Sequence, residues 1–201
     1  MIRRSLVFAC AAIAVILLVA ADRAPRPGRV VAGRAAAARS DHLPPFTLFG
    51  WVSPPPESTT VARIGEYAGC GLNVAVPAWG DSGRLEDNRF RMNAAATVGV
   101  RCIAWDRRLE AVTFDPDTRQ GALDSVAADY RDQPGFLAYY FEDEPRASDF
   151  PWLARFFAAM RARDPDHPSF DNLLGPAVFS SRAEWETYVR AYVETVHPSV
   201  L

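Results

Sequence analysis

The sequence predicts an α/β protein made of successive βα units. The fold expected is an incomplete (β/α)8, TIM-barrel-like domain; the alternative is an open, doubly wound parallel sheet. Three observations predict this. Short apolar runs begin near residues 46, 73, 100, 136, 168 and 199, a spacing of 27, 27, 36, 32 and 31 residues. Segments with helical apolar spacing lie between them. Glycines punctuate the helix ends. Units of that length imply parallel strands with covering helices. About five and a half units fit the chain, whereas a complete barrel has eight in typically ~250 residues. The C-terminal units are therefore expected to be missing.

The elements follow in order. Phe46 to Val52 reads as the first strand, ended by Pro54-Pro55-Pro56. Ser58 or Thr59 can cap a helix that runs to about Gly69 with Val61, Ile64 and Ala68 on one face. Asn73 to Pro77 is a short buried strand. Glu86 to Val98 is a helix stopped at Gly99, and Val100 to Trp105 is the third strand. Gly121 to Arg131 forms a helix with Leu123, Val126, Ala127 and Tyr130 facing inward. Gly135 to Phe141 is the fourth strand. Asp149 can cap the next helix, which has Pro151 in its first turn and runs to Arg163. Its stripe of Trp152, Phe156, Phe157 and Met160 reads as core. His167 to Leu174 is the fifth strand, Ser181 to Val196 a helix, and Ser199 to Leu201 the start of a sixth strand.

The first 41 residues differ from the rest. Arg3 and Arg4 precede an uncharged apolar run from Ser5 to Ala21 that ends in small residues. Residues 1–21 read as a signal peptide cut before Asp22, or as an uncleaved membrane anchor. The protein is thus expected to be secreted or extracytoplasmic, touching a membrane only through that segment. Residues 22–41 read as a flexible Ala/Arg/Pro linker. The barrel domain is expected over 42–201. Residues 1–41 hold seven arginines and two acids, and the remainder holds 15 arginines against 22 acids. An acidic domain without a basic stripe argues against a nucleic-acid partner. Cys70 and Cys102 can bridge in an oxidising compartment or stay as buried thiols. No Cys/His cluster suggests zinc, and no GxGxxG or phosphate loop follows the first strand, so no cofactor is expected.

The densest polar cluster is Glu142-Asp143-Glu144, followed by Pro145, at the end of the fourth strand. Acids there need solvent, a cation or a partner. In either parallel architecture that end of the sheet is where ligands bind. Strand alternation puts Tyr140, Glu142 and Glu144 on one face. A carboxylate among apolar neighbours there could act as a general acid. Trp51, Trp79 and Trp105-Asp106 stand at the ends of the first three strands, and Asn172 near the end of the fifth. Indole faces pack on sugar C–H faces and polar tips orient hydroxyls, so these residues are candidate carbohydrate contacts. His42, His167 and His197 are poor catalytic candidates, the last two lying in helix-to-strand turns at the opposite end.

A fourth strand that ends in Asp143-Glu144-Pro145 resembles the acid/base strand of clan A glycoside hydrolases. The run Gly135 to Pro145 is similar to a stretch in secreted glycosidase-like barrel proteins, as are Asp164 to Pro168, Asn172-Leu173 and Tyr188 to Val193. The resemblance implies a (β/α)8 barrel acting on carbohydrate, with Glu144 as general acid/base. Asp143 stands where an asparagine usually contacts a sugar hydroxyl. The family's nucleophile lies on a seventh strand, which would fall beyond Leu201, so these 201 residues alone are expected to be inactive. Two other readings remain open: a non-catalytic carbohydrate-binding barrel, and a protein that holds Mg²⁺ or Ca²⁺ with Glu142, Asp143 and Glu144.

Overall fold

A computed structural model describes residues 46–77, 82–110 and 115–200. These belong to the unit that begins at Arg39. The expected signal or anchor, the linker, Trp79 and Leu201 lie outside the described residues. Among the described residues no helix is long and apolar enough to cross a membrane.

Helix α1 (Val61–Gly69) starts at Thr60, whose side chain accepts the Arg63 N–H at 3.1 Å. The two caps expected from sequence serve elsewhere. Ser58 closes a single 3-10 turn at Pro56–Ser58, and the buried Thr59 hydroxyl donates to the Pro54 and Pro55 carbonyls. Strand β1 (Val74–Ala75), helix α2 (Leu85–Ala96), strand β2 (Arg101–Trp105), helix α3 (Gln120–Tyr130) and strand β3 (Phe136–Asp143) follow. Helix α4 (Phe150–Arg163), strand β4 (Ser169–Asn172) and helix α5 (Arg182–Val196) complete the order. Ser181 caps α5 by accepting the Glu184 N–H at 3.2 Å. Asp149 precedes α4, but its carboxylate turns back to accept the Arg146 N–H at 2.8 Å.

The predicted first strand does not form. Residues 46–50 lie beside β1, where the Leu48 carbonyl accepts the Asn73 and Val74 N–H groups at 2.9 and 3.3 Å, and the Asn73 side chain supplies the remaining links. Its Oδ1 accepts the Leu48 N–H at 2.9 Å and its Nδ2 donates to the Phe46 carbonyl at 2.6 Å. Val52 then has φ 143°, which a β-branched residue rarely adopts and which ends any strand there. Ser199 and Val200 hold no strand either.

The four strands are parallel and paired in the order β1-β2-β3-β4. The sheet is open, with β1 and β4 at its edges. One core cluster joins all five helices to one face: Ile64, Met92, Leu123, Phe156 and Tyr192 pack with Ala75, Cys102, Ala104, Phe136, Tyr139 and Phe141. Val74, Val76, Ile103, Leu137 and Ala138 form a separate cluster on the other face, joined by Phe49, Tyr140 and Phe170 and by no helix residue. A doubly wound sheet carries helices on both faces and reverses its strand order. Neither feature occurs among the described residues.

Strand β3 carries two irregularities. Cys102 pairs with Phe136 but Ile103 with Ala138, so Leu137 is an extra residue. Tyr140 pairs with Phe170 but Asp143 with Asn172, so three steps on β3 meet two on β4. Bulges of this kind re-aim side chains at strand ends. Gly135, just before β3, has φ 77°, and a Cβ there would lie 2.7 Å from the Met92 carbonyl oxygen. Cys70 is an exposed free thiol and Cys102 a buried one, so no bridge joins them.

Candidate functional site

The C-terminal ends of β3 and β4 gather most of the predicted site residues. Asn172 Nδ2 donates to Asp143 Oδ1 at 2.8 Å. The Glu144 N–H donates to the Asn172 carbonyl at 2.7 Å. The Glu142 N–H, set free by the bulge, donates to Asp171 Oδ1 at 3.1 Å. Three successive residues of the acidic turn are therefore tied to two successive residues of β4. Glu144 sits in the left-handed region with φ 55° and is exposed, as is Asp143. Such a backbone for a non-glycine residue stores strain of about 1 kcal/mol or more. The turn is supported from below, where the Tyr188 hydroxyl of α5 donates to the Pro145 carbonyl at 2.7 Å.

Beside these acids lies an aromatic group. Trp51 meets Tyr140 edge to face, with ring centroids 6.1 Å apart. Tyr140 contacts Phe170 at 6.0 Å, and Phe170 meets Phe49 at 6.2 Å. Trp51 is 44% exposed and so presents an indole surface to solvent. The buried Tyr140 hydroxyl lies near the Asp143 carboxylate, outside ideal hydrogen-bond geometry. Burial first, then the negative charge of Asp143, pushes the Tyr140 pKa up, and Asp171 and Glu142 add to it. Burial likewise raises Glu142 above the ordinary carboxylate range. The Asp143 N–H opposes that rise, while the charges of Asp149 and Asp143 add to it.

Trp105 and Asp106 stand apart from this group. Trp105 pairs with Tyr140 across the ladder, but Gly83 covers its ring so closely that a Cβ would lie 2.5 Å from the indole. Asp106 is 2% exposed and engaged. It accepts the Arg108 backbone N–H at 2.9 Å, Arg108 Nε at 2.9 Å and Nη2 at 2.7 Å, and the Tyr130 hydroxyl at 2.8 Å. Asn88 extends this network by donating to Tyr130 Oη at 2.8 Å. Asp106, expected at a sugar-binding strand end, is thus a buried anchor between β2 and α3 that holds the partly exposed Arg108. His167 holds Asp164 at 2.9 Å at the far end of the sheet. Burial pushes Asp164 up, but donors from His167 and Tyr139 outweigh it and hold the carboxyl below its ordinary value.

The residue that sequence reasoning missed is Asp171. It is 7% exposed, and Tyr192 of α5 donates to its Oδ2 at 2.9 Å. Burial pushes its carboxyl up to about 7 against the pull of the Tyr192 and Glu142 donors. A signal existed. Alternation along Ser169-Phe-Asp-Asn172 turns Asp171 towards the helices, where an acid needs a donor. Tyr188 and Tyr192, four apart on the last helix, are the available ones. Among the described residues no group of three His, Cys, Asp or Glu side chains could hold a metal ion. The three acids of the turn therefore form no cation cage.

No protein-family model matches the chain, and no curated protein matches it significantly.

Proposed function

We propose that the ends of β3 and β4 form the carbohydrate site of an extracytoplasmic, glycoside-hydrolase-like (β/α) barrel. One observation carries this reading. An exposed indole, Trp51, stands against Tyr140, three residues from the hydrogen-bonded Asp143–Asn172 pair. An apolar plate beside a fixed donor–acceptor pair suits a ring with C–H faces and equatorial hydroxyls. The consecutive strand order and the helices on a single face support the barrel architecture. The apolar run at residues 5–21 supports export. Glu144, at the strand end and open to solvent, is the proton donor and acceptor in this reading. Ordinary glycoside hydrolysis needs a second carboxylate across the sugar ring.

A non-catalytic binding barrel is the second reading. The exposure of Glu144 favours it, because a general acid usually needs a covered site to stay protonated near neutral pH.

Titration of the full chain with soluble oligosaccharides, followed by Trp fluorescence, tests the site. Binding is expected for the wild type. Trp51→Ala or Asn172→Ala should weaken it about tenfold or more, the loss of one stacked ring or one charge-assisted hydrogen bond. Binding unchanged in both variants would refute the site. Hydrolysis of aryl glycosides by a longer chain that supplies the second carboxylate, compared with its Glu144→Gln variant, then separates the two readings. Turnover lost only in the variant supports the hydrolase.

A further inference from the structure

Every residue of the acidic turn is referenced to β4. The Asn172 half of that frame is open to view, and the Asp171 half is hidden under the strand. The bulge between Tyr140 and Asp143 leaves the Glu142 N–H without a ladder carbonyl. A buried N–H in that state needs another acceptor. Asp171 Oδ1 supplies it, while Oδ2 receives the Tyr192 hydroxyl from α5. The carboxylate therefore spans β3 and α5 through one side chain. Four titratable groups act on it from the elements packed around it: Glu142 and Tyr140 on β3, and Tyr188 and Tyr192 on α5.

We propose that Asp171 is the positioning residue of the acidic turn: by holding the bulged Glu142 amide against α5, it sets the direction in which Glu142, Asp143 and Glu144 leave the strand. Protonation of its carboxyl weakens it as an acceptor, so the turn's geometry follows the charge on Asp171. The claim that the turn touches a sugar rests on the carbohydrate reading above; the positioning itself does not.

The test records backbone amide resonances of Glu142, Asp143 and Glu144 in the full chain as pH is varied. In the wild type all three should move together through one midpoint at about 7. Asp171→Asn keeps an acceptor oxygen but cannot ionise, so the shared transition should vanish while the fold persists. Tyr192→Phe removes a donor to the carboxylate and should move the midpoint upward. Amides that do not titrate in the wild type, or that still share the transition in Asp171→Asn, would overturn the proposal. In parallel, oligosaccharide binding should show an inflection at the same midpoint in the wild type and none in Asp171→Asn. Binding that is flat with pH in the wild type counts against the proposal. Absence of binding at every pH would sink the carbohydrate reading alone, and the amide titration would still decide the role of Asp171.

Discussion

Replacing Asp171 by asparagine should change how the stability of the fold depends on pH, and by a large amount. An aspartate in an unfolded chain titrates at about 3.9. In the folded protein burial raises Asp171 to about 7. Between those values the native state keeps a proton that the unfolded state has released. Stability conferred by the protonated form is fully present below about pH 4 and is lost as pH rises through about 7. A separation of about three units corresponds to about 4 kcal/mol, accumulating at ~1.4 kcal/mol per pH unit. Few single groups can contribute so much, since a domain's whole margin is only about 5–15 kcal/mol. The replacement side chain does not titrate, yet its amide oxygen can still receive the Glu142 N–H. The stability of Asp171→Asn relative to wild type should therefore rise from about pH 4 to about pH 8. Urea unfolding at half-unit pH steps measures it directly. A difference between the two proteins that stays constant across that range would refute the argument that this carboxyl is held protonated by its surroundings.

The remaining predictions concern other parts of the fold. Asp164 has the opposite sign: its lowered pKa contributes stability above the unfolded value that is lost as pH falls through the folded one, so Asp164→Asn should flatten the acid limb of the unfolding curve. Gly135→Ala should destabilise by about 2–4 kcal/mol in urea unfolding, because a Cβ meets the Met92 carbonyl at 2.7 Å and φ is 77°. Phe156→Ala, which removes a fully buried ring stacked on Phe141, should lower stability by about 3–5 kcal/mol. Glu144→Gly should stabilise the fold by about 1 kcal/mol by relieving the left-handed backbone, whereas Glu144→Ala should not.

The interior βα units were legible because their apolar runs and helical spacings repeat. The positions of α2, β2, α3, β3, α4, β4 and α5 each fall within a few residues of the pattern. The Phe46–Val52 run was misread for a physical reason. It is apolar and β-prone, but its backbone links to β1 converge on the Leu48 carbonyl, the Asn73 side chain and the Tyr67 hydroxyl take its other groups, and three prolines with a strained valine stop it. The acidic turn was visible, and so was the nearness of Tyr140 to the strand end. Asp171 was hidden behind its half-buried neighbour Asn172. Alternation and the Tyr192 hydroxyl account for one oxygen of this inward acid, but the bulge in β3 that gives the other oxygen an amide to hold is announced by no local pattern. Asp106 shows the reverse case: its place at a strand end suggested an open contact, while Tyr130, 24 residues away, draws it inside.

The way the acidic turn is fastened has a consequence for how this protein can change. Positions 142 and 144 are gripped through their amides, which every residue except proline possesses. Their side chains take no part in the grip, so new functional groups could be mounted at position 142 on an unaltered backbone, whereas the left-handed φ of 55° at position 144 favours glycine, asparagine or aspartate. Position 143 is different, because its own carboxylate is clasped by Asn172. Sequence drift at this strand end should therefore run most freely at position 142, be confined at 144 to residues that accept a left-handed backbone, and stall at 143 unless its partner on the adjoining strand shifts with it.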